Sequence, residues 1–138
     1  MKIEIGQSAS FSKTISESDV YGFAGLVGDF NSAHINQIEA EKSIFGTRIA
    51  HGMLVGSLIS TVLGMKLPGP GTIYLEQNLQ FKKPVYFGDT LTANAIVVEI
   101  VNEIKGIYKL DTIIINQKNE LIIEGYALVM YREEEEND

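Results

Sequence analysis

The pattern of apolar and polar positions divides the chain into a helical first half and a strand-rich second half. Near the start, Ser16 precedes Asp19 by three positions, which is the spacing of a helix N-cap. Four apolar residues then recur at helical spacing and define one apolar face: Val20, Phe23, Ala24 and Val27. The pattern therefore predicts a helix that begins after Ser16 and ends at Gly28.

A second helical segment is long and has almost no polar side. Residues 52–65 read GMLVGSLISTVLGM, and the interior positions that are not large and apolar hold only glycine, serine or threonine. A helix that is apolar on every side is a buried helix. Pro68 and Pro70 cannot continue it. We therefore expect one helix in the core, preceded by a short helix within residues 37–45.

The second half of the chain contains four segments rich in Ile, Val, Thr and Tyr, which is typical of strands. These segments cover residues 72–81, 90–100, 106–117 and 120–132. Turn residues separate them, and no helical segment lies between them, so the strands should pair antiparallel as a meander. The fold class predicted is α+β, with an antiparallel sheet wrapped around the central helix. Pairing across a dimer would cover one open edge of that sheet.

Composition narrows the class of protein. The chain has 138 residues, which fits one domain, and it contains no cysteine. Because there is no long apolar run and no signal-like N-terminus, we expect a cytoplasmic protein without a membrane span. The net charge is −7, which argues against nucleic-acid binding. Much of this charge lies in the tail, residues 132–138, which we expect to be frayed.

The candidate chemistry lies in the stretch GDFNSAH, residues 28–34. It places a carboxylate, Asp29, five residues before an imidazole, His34, in a chain that has only two histidines. The second histidine, His51, directly precedes Gly52 at the predicted start of the buried helix. An acid and an imidazole that hold one water between them are suited to proton transfer. The alternative is a polar loop in which Asp29 caps a turn and His34 is simply exposed.

Three segments together carry a family resemblance: GDFNSAH, RIAHGML and GTIYLEQNLQFKKPVYFGDTL. They resemble the MaoC-like (R)-specific enoyl-CoA hydratases of the hot-dog fold, over about residues 5 to 131. One departure is Ser32, where the family often has proline. The resemblance implies a single domain over residues 1–131 that adds water, syn, across a trans-2-enoyl-CoA to give the (R)-3-hydroxyacyl-CoA, and the reverse reaction. It also implies a homodimer whose sheets join and whose active sites lie near the subunit interface.

The resemblance assigns a role to each candidate residue. Asp29 and His34 activate the water, and the backbone N–H of Gly52, at the positive end of the helix, stabilises the thioester oxygen. Alternatively, Gly52 serves only close packing. His51 either titrates or forms a structural hydrogen bond that fixes the loop. Asn31 either orients the loop or bonds Asp29, or it is only a turn residue.

Ser60 matches a serine that in the family lies near the catalytic acid, although a helix serine also bonds back to its own backbone. Leu63 shares its helix face and either forms the wall of the acyl pocket or packs in the core. Four basic residues are candidates for contacts with the CoA phosphates: Arg48, Lys66, Lys82 and Lys83. Strand alternation argues that Lys82 and Lys83 point to opposite sides. Asp89 is most simply a turn residue.

Two other functions remain open at this level. An acyl-CoA thioesterase on the same fold would direct water at the carbonyl carbon, and a non-catalytic acyl-CoA-binding module would need no acid–base pair. The substrate expected in either case is an acyl-CoA. No metal or redox cofactor is predicted, because hydration transfers no electrons and no clustered metal-ligand spacing is present.

Overall fold

The computed structural model describes residues 2–133, which form one antiparallel sheet packed on a central helix. The helices are α1 (Glu17–Val27), α2 (Ser32–Ile35), α3 (Gln37–Glu41) and α4 (Gly52–Met65). The strands are β1 (Ser8–Thr14), β2 (Ile73–Gln77), β3 (Gln80–Phe81), β4 (Thr90–Asn102), β5 (Ile107–Ile115) and β6 (Leu121–Met130). The predicted α+β class is confirmed.

Helix α1 begins and ends where its sequence predicts. The Ser16 hydroxyl accepts a hydrogen bond from the Asp19 amide at 3.0 Å, and the Asp19 carboxylate accepts one from the Ser16 amide at 3.0 Å. The bond from the Ser16 backbone also lowers the pKa of Asp19. Gly28 ends the helix in the left-handed region, with φ of 80°, which glycine adopts at little cost. This turn directs the following residues away from the helix axis.

The sheet has the strand order β1-β4-β5-β6-β2, and β3 also pairs with β6. All pairings are antiparallel, as predicted. The meander, however, comprises only β4, β5 and β6, because β2 pairs with β6 instead of with β4. Strand β1, which the apolar pattern does not predict, pairs with β4 and forms one edge.

The segment predicted as one strand over residues 72–81 is split into β2 and β3. Between them the carbonyl oxygen of Asn78 lies where a side chain on Gly125 would project, 1.9 Å from the Cβ position. Only glycine therefore permits this close passage over β6. The break offsets β3 from β2 and places Phe81 beside the start of α4.

Helix α4 has the predicted bounds and packs against β4, β1 and β5. The expectation that it is buried on every side is wrong. Met53, Ser57 and Ser60 form an exposed stripe along the helix. The sheet covers only the opposite side, where Ile59, Val62 and Leu63 are fully buried.

We expect Leu63→Ala to lower the free energy of unfolding by about 2–5 kcal/mol, because the substitution leaves a cavity in the closed core. Urea denaturation monitored by circular dichroism measures this loss. Met53→Ala on the exposed stripe is the matched control and should cost clearly less. Equal losses in the two variants would show that Leu63 is not part of a close-packed core.

No helix within residues 2–133 is long and apolar enough to cross a membrane. The last strand ends at Met130. Most of the tail that we expect to be frayed, residues 134–138, lies outside the described residues.

Candidate active site

The loop after α1 carries the first candidate residue. Asp29 directly follows the left-handed turn at Gly28, and its side chain is exposed. Its carboxylate accepts a hydrogen bond from the backbone N–H of Asn31 at 3.2 Å. The side chain of Asn31 in turn caps α2 by accepting a bond from the Ala33 amide at 2.9 Å. The Asn31 side chain thus acts as a cap in the turn, and its contact with Asp29 is made by the backbone amide.

His34 lies on α2 and is half-buried. Its Nδ1 atom is 2.7 Å from the backbone carbonyl oxygen of Ile49. A carbonyl oxygen only accepts, so Nδ1 carries the proton in the neutral ring and Nε2 retains a lone pair. The bond between the Ile49 amide and the Ala33 carbonyl, 3.0 Å, holds the same two segments together. The fold thus presents His34 as a hydrogen-bond acceptor at Nε2.

His51 is buried at the N-cap position of α4 and joins this helix to the Asp29 loop. Its Nε2 atom donates to the backbone carbonyl of Asp29 at 2.9 Å, which is the structural hydrogen bond considered for it above. Its ring stacks on the His34 ring, with centroids 3.8 Å apart, and Phe23 packs on it at 4.9 Å. Among the described residues, its buried Nδ1 atom has no hydrogen-bond partner.

Gly52 is the first residue of α4, and it is exposed. Within residues 2–133 its backbone N–H has no hydrogen-bond acceptor, as expected for the first amide of a helix. The partial positive charge of the helix N-terminus adds to this donor. A side chain at this position would meet the Phe81 ring, since Cε1 of Phe81 lies 2.8 Å from the Cβ position. Gly52 therefore satisfies both alternatives, a close packing contact and an available donor.

These groups line one cavity of about 550 Å³, which we call the reaction chamber. Its walls are Phe23, Val27, Asp29, His34, His51, Gly52, Met53 and Phe81. A carboxylate, an imidazole lone pair and a backbone amide thus face one space that is otherwise mainly apolar. Apolar walls strengthen hydrogen bonds to charge that develops during a reaction.

Three potential metal ligands also meet in the chamber. The donor atoms of Asp29, His34 and His51 lie within 4.8 Å of one another. Imidazoles bind a metal ion best when lone pairs in the two ring planes converge on one position. The rings of His34 and His51 are stacked, only 29° from parallel, so their lone pairs lie in separate, nearly parallel planes. The arrangement suits contacts to a small molecule such as water better than metal coordination.

The structure separates Ser60 and Leu63, which the sequence places on one helix face. Ser60 is exposed and lines a second cavity of about 380 Å³, whereas Leu63 is fully buried. Side chains three residues apart differ in direction by about 60° around a helix. Ser60 therefore lies on the exposed stripe, whereas Leu63 faces the core. Leu63 lines neither the reaction chamber nor the Ser60 cavity, so the geometry of one chain supports core packing for it. Met53 lines both the reaction chamber and the Ser60 cavity.

The candidate basic residues lie in different environments. The guanidinium of Arg48 stacks on Tyr21 and Phe87 and bonds the Gln37 side chain at 3.1 Å. Lys66 donates to the backbone carbonyl of Ser10 at 2.5 Å. Asp89 accepts from the Tyr86 amide at 2.9 Å and is a turn residue, as expected.

Lys82 and Lys83 line the same cavity, a third one of about 340 Å³. The expectation that their side chains point to opposite sides stays a prediction. Their amides share one acceptor, the carbonyl oxygen of Ile122, at 2.8 and 3.5 Å, so the regular strand alternation ends after Phe81.

Sequence reasoning missed Phe81 and Met53. The available signal for Phe81 is Gly52 itself, because a glycine at the first position of a helix indicates that another group approaches closely. Met53 carries no such signal, since methionine is also common in protein cores.

Comparison with known proteins gives a consistent result. The chain matches the family described as MaoC like domain over residues 2–117. It is 53% identical over 128 residues to an (R)-specific enoyl-CoA hydratase of Rhodospirillum rubrum, covering 93% of this chain and 88% of the relative. It is 40% identical over 136 residues to a 3-hydroxybutyryl-CoA dehydratase of Methylorubrum extorquens, covering 99% and 85%. The solved structure of the (R)-hydratase from A. caviae involved in PHA biosynthesis superposes with a TM-score of 0.90 at 42% identity, covering 94% and 98%.

Proposed function

The chain belongs to the MaoC-like family and has its hot-dog fold, and on this premise we propose that it is a hydro-lyase acting on acyl-CoA substrates. The reaction proposed is the (R)-specific hydration of a trans-2-enoyl-CoA to the (R)-3-hydroxyacyl-CoA, and its reverse. Relatives named as a hydratase and as a dehydratase describe the two directions of such a reaction. The observation that carries the proposal is the meeting of Asp29, His34 and the Gly52 amide in one chamber.

In the proposed mechanism, one water lies between the Asp29 carboxylate and Nε2 of His34. Nε2 takes a proton from the water as its oxygen forms a bond to C3 of the enoyl thioester. The electron pair of the double bond moves towards the thioester oxygen, which accepts a hydrogen bond from the Gly52 amide. His34 then returns the proton to C2. Because one imidazole takes and returns the proton, both parts of the water add from the same face.

The direction of His34 is central to this mechanism. Its Nδ1 proton is committed to the Ile49 carbonyl, so only Nε2 is available to accept a proton. Among the described residues, the Asp29 carboxylate accepts a hydrogen bond from the Asn31 amide. Its remaining lone pairs are available to accept a hydrogen bond from a water. The reaction requires no electron transfer, and we propose no metal or redox cofactor.

The principal alternative is a thioesterase, in which the water would attack the carbonyl carbon. An acyl-CoA-binding module without activity is the other. Incubation with crotonyl-CoA separates these functions: hydration removes the enone absorbance without free thiol, hydrolysis releases free thiol, and binding alone does neither. Loss of enone absorbance without thiol is the result expected, and thiol release would contradict the hydratase proposal.

We propose further that the protein is a homodimer. All but the last residue of β2 are exposed, including Ile73, Tyr74 and Leu75. The strand pairs with β6 on one side, and its other edge has no partner within the described residues. An exposed apolar edge strand is a site for pairing with another chain. Pairing of two copies here would also cover the adjacent Ser60 cavity, which Tyr74 and Leu75 line.

Sedimentation equilibrium at micromolar protein concentration tests the assembly. We expect a mass twice that of the chain, which is 15.2 kDa. A single species with the mass of one chain would contradict the dimer, and it would leave the apolar surface of β2 without an explanation.

A further inference from the structure

His51 contacts all three groups to which the proposed mechanism assigns a role, although it has no role in that mechanism itself. Its Nε2 atom donates to the backbone carbonyl of Asp29 at 2.9 Å, and its ring centroid lies 3.8 Å from that of His34. The N–H of Gly52 belongs to the peptide bond that joins Gly52 to His51. A displacement of His51 would therefore displace the Asp29 loop, the His34 ring and the oxyanion donor together.

The stability of helix α4 does not explain a histidine at this position. The side chain at an N-cap position usually accepts a hydrogen bond from an amide of the first turn, and His51 makes no such bond. Its Nδ1 atom is buried without a hydrogen-bond partner within residues 2–133, which costs free energy of folding. His51 thus lacks two contacts that would stabilise the fold, and its one polar side-chain contact goes to the Asp29 loop.

The stacked ring restrains the plane of His34. The hydrogen bond from Nδ1 of His34 to the Ile49 carbonyl, 2.7 Å, holds one edge of that ring. One hydrogen bond alone leaves an imidazole able to tilt about the line that joins donor and acceptor. The face of the His51 ring, 29° from parallel, opposes this tilt. The direction of the Nε2 lone pair of His34 is thereby fixed, and a hydrogen bond weakens steeply when its direction is lost.

The hydrogen bond from His51 restrains Asp29. Asp29 is exposed, and its other hydrogen bond within residues 2–133 comes from Asn31, two positions along the same loop. The bond from His51 is thus the one that joins Asp29 to helix α4. Because a carbonyl oxygen only accepts, Nε2 of His51 carries the proton, and Nδ1 carries none in the neutral ring.

The two stacked histidines therefore have opposite tautomers, with the proton on Nδ1 of His34 and on Nε2 of His51. We propose that His51 is the positioning residue of the catalytic pair: its Nε2–H holds the main chain of Asp29, and its ring face holds the plane of the His34 ring. The proposal rests on the proposed function for the roles of Asp29 and His34. It predicts an effect of His51 on kcat and none on the affinity for substrate.

The first test measures the tautomers in the unmodified protein. The chain has only two histidines, so long-range proton–nitrogen correlation spectra at neutral pH contain two imidazole rings, and the spectrum of His34→Gln assigns them. We expect His51 to be protonated at Nε2 and His34 at Nδ1. A His51 ring protonated at Nδ1, or one that exchanges between the two tautomers, would overturn the proposal whether or not any His51 variant folds.

The second test is His51→Phe, which keeps an aromatic ring at this position and removes the donor. We expect kcat for crotonyl-CoA hydration to fall roughly tenfold to 10²-fold, the scale of the loss when a catalytic group is misplaced by about 1 Å. The Kd of butyryl-CoA, a saturated and unreactive thioester, should be unchanged in calorimetry. In an Asp29→Asn background the same substitution should change kcat little, because the carboxylate that it positions is already absent.

Val62→Ala is the matched control, since Val62 is a fully buried residue of α4 that lines neither the reaction chamber nor the Ser60 cavity. It should lower the free energy of unfolding and leave kcat unchanged. A normal kcat in folded His51→Phe, a parallel rise in Kd, or an equal loss in the Asp29→Asn background would contradict the positioning role. Crotonyl-CoA turnover by the unmodified protein, measured separately, reports on the hydratase function, so failure of one conclusion is distinguishable from failure of the other.

Discussion

Asp29→Asn is expected to lower kcat for crotonyl-CoA hydration by about 10²–10⁴-fold, the range for impaired general acid–base catalysis, because the carboxylate that holds the water for His34 is lost. The substitution preserves the surroundings. An asparagine oxygen still accepts from the Asn31 amide, and the Asp29 backbone carbonyl, which holds His51, is unaltered. Only the charge and basicity of the side chain are lost. Steady-state kinetics with purified protein measures the effect.

His34→Gln should lower kcat by a factor of the same order as Asp29→Asn. Glutamine keeps a side chain that forms hydrogen bonds, whereas it does not accept a proton as Nε2 of His34 does. If Asp29 and His34 act on one water, the fold-reduction of kcat in the double variant should be much smaller than the product of the two single fold-reductions. Binding of butyryl-CoA should change little in all three variants. Near-normal hydration by both folded single variants would show that GDFNSAH is only a polar loop.

Removal of the Gly52 amide proton is expected to lower kcat by about 10²–10³-fold, the typical effect of losing one donor to a developing oxyanion. Proline removes this proton and is tolerated at the first position of a helix. The preceding residue, His51, already has the extended backbone that proline requires, with φ of −62° and ψ of 135°. Gly52→Pro therefore tests the donor without breaking α4.

The control for this prediction is Gly52→Ala, with both substitutions made in a Phe81→Ala background. The background is needed because any side chain at position 52 meets the Phe81 ring. Alanine adds a side chain and retains the N–H, so the difference in kcat between the proline and alanine variants isolates the hydrogen bond. Equal kcat values for the two variants would exclude Gly52 as the oxyanion donor.

The elements that the sequence predicted well are those with strong local signals. Ser16 and Asp19 form the cap that their spacing indicates, and α4 has the bounds set by Gly52 and the prolines beyond it. Strand β1 was missed because its inward residues, such as Ala9 and Phe11, are only partly buried at the sheet edge. Strand order is also not encoded locally: β2 pairs with β6 through a tertiary arrangement that no short-range pattern reveals.

The candidate site, like the fold, was predictable where single residues carry a strong local signal. Asp29, His34 and Gly52 stand out by type and context, and the fold brings them into one chamber. Phe81 did not stand out, because its position depends on the break between β2 and β3. This break is a consequence of tertiary structure. The roles assigned to the site residues remain predictions that the variants above test.

The configuration of the product tests the central claim most directly. Crotonyl-CoA is incubated with the protein, and the 3-hydroxybutyryl-CoA formed is analysed with dehydrogenases specific for each enantiomer at C3. Attack on C3 from one face predicts a single enantiomer, and the proposed (R)-specific hydration predicts that this is the (R) enantiomer, with no release of free CoA. Formation of the (S) enantiomer or of a racemic product, or release of free CoA in place of hydration, would contradict the account.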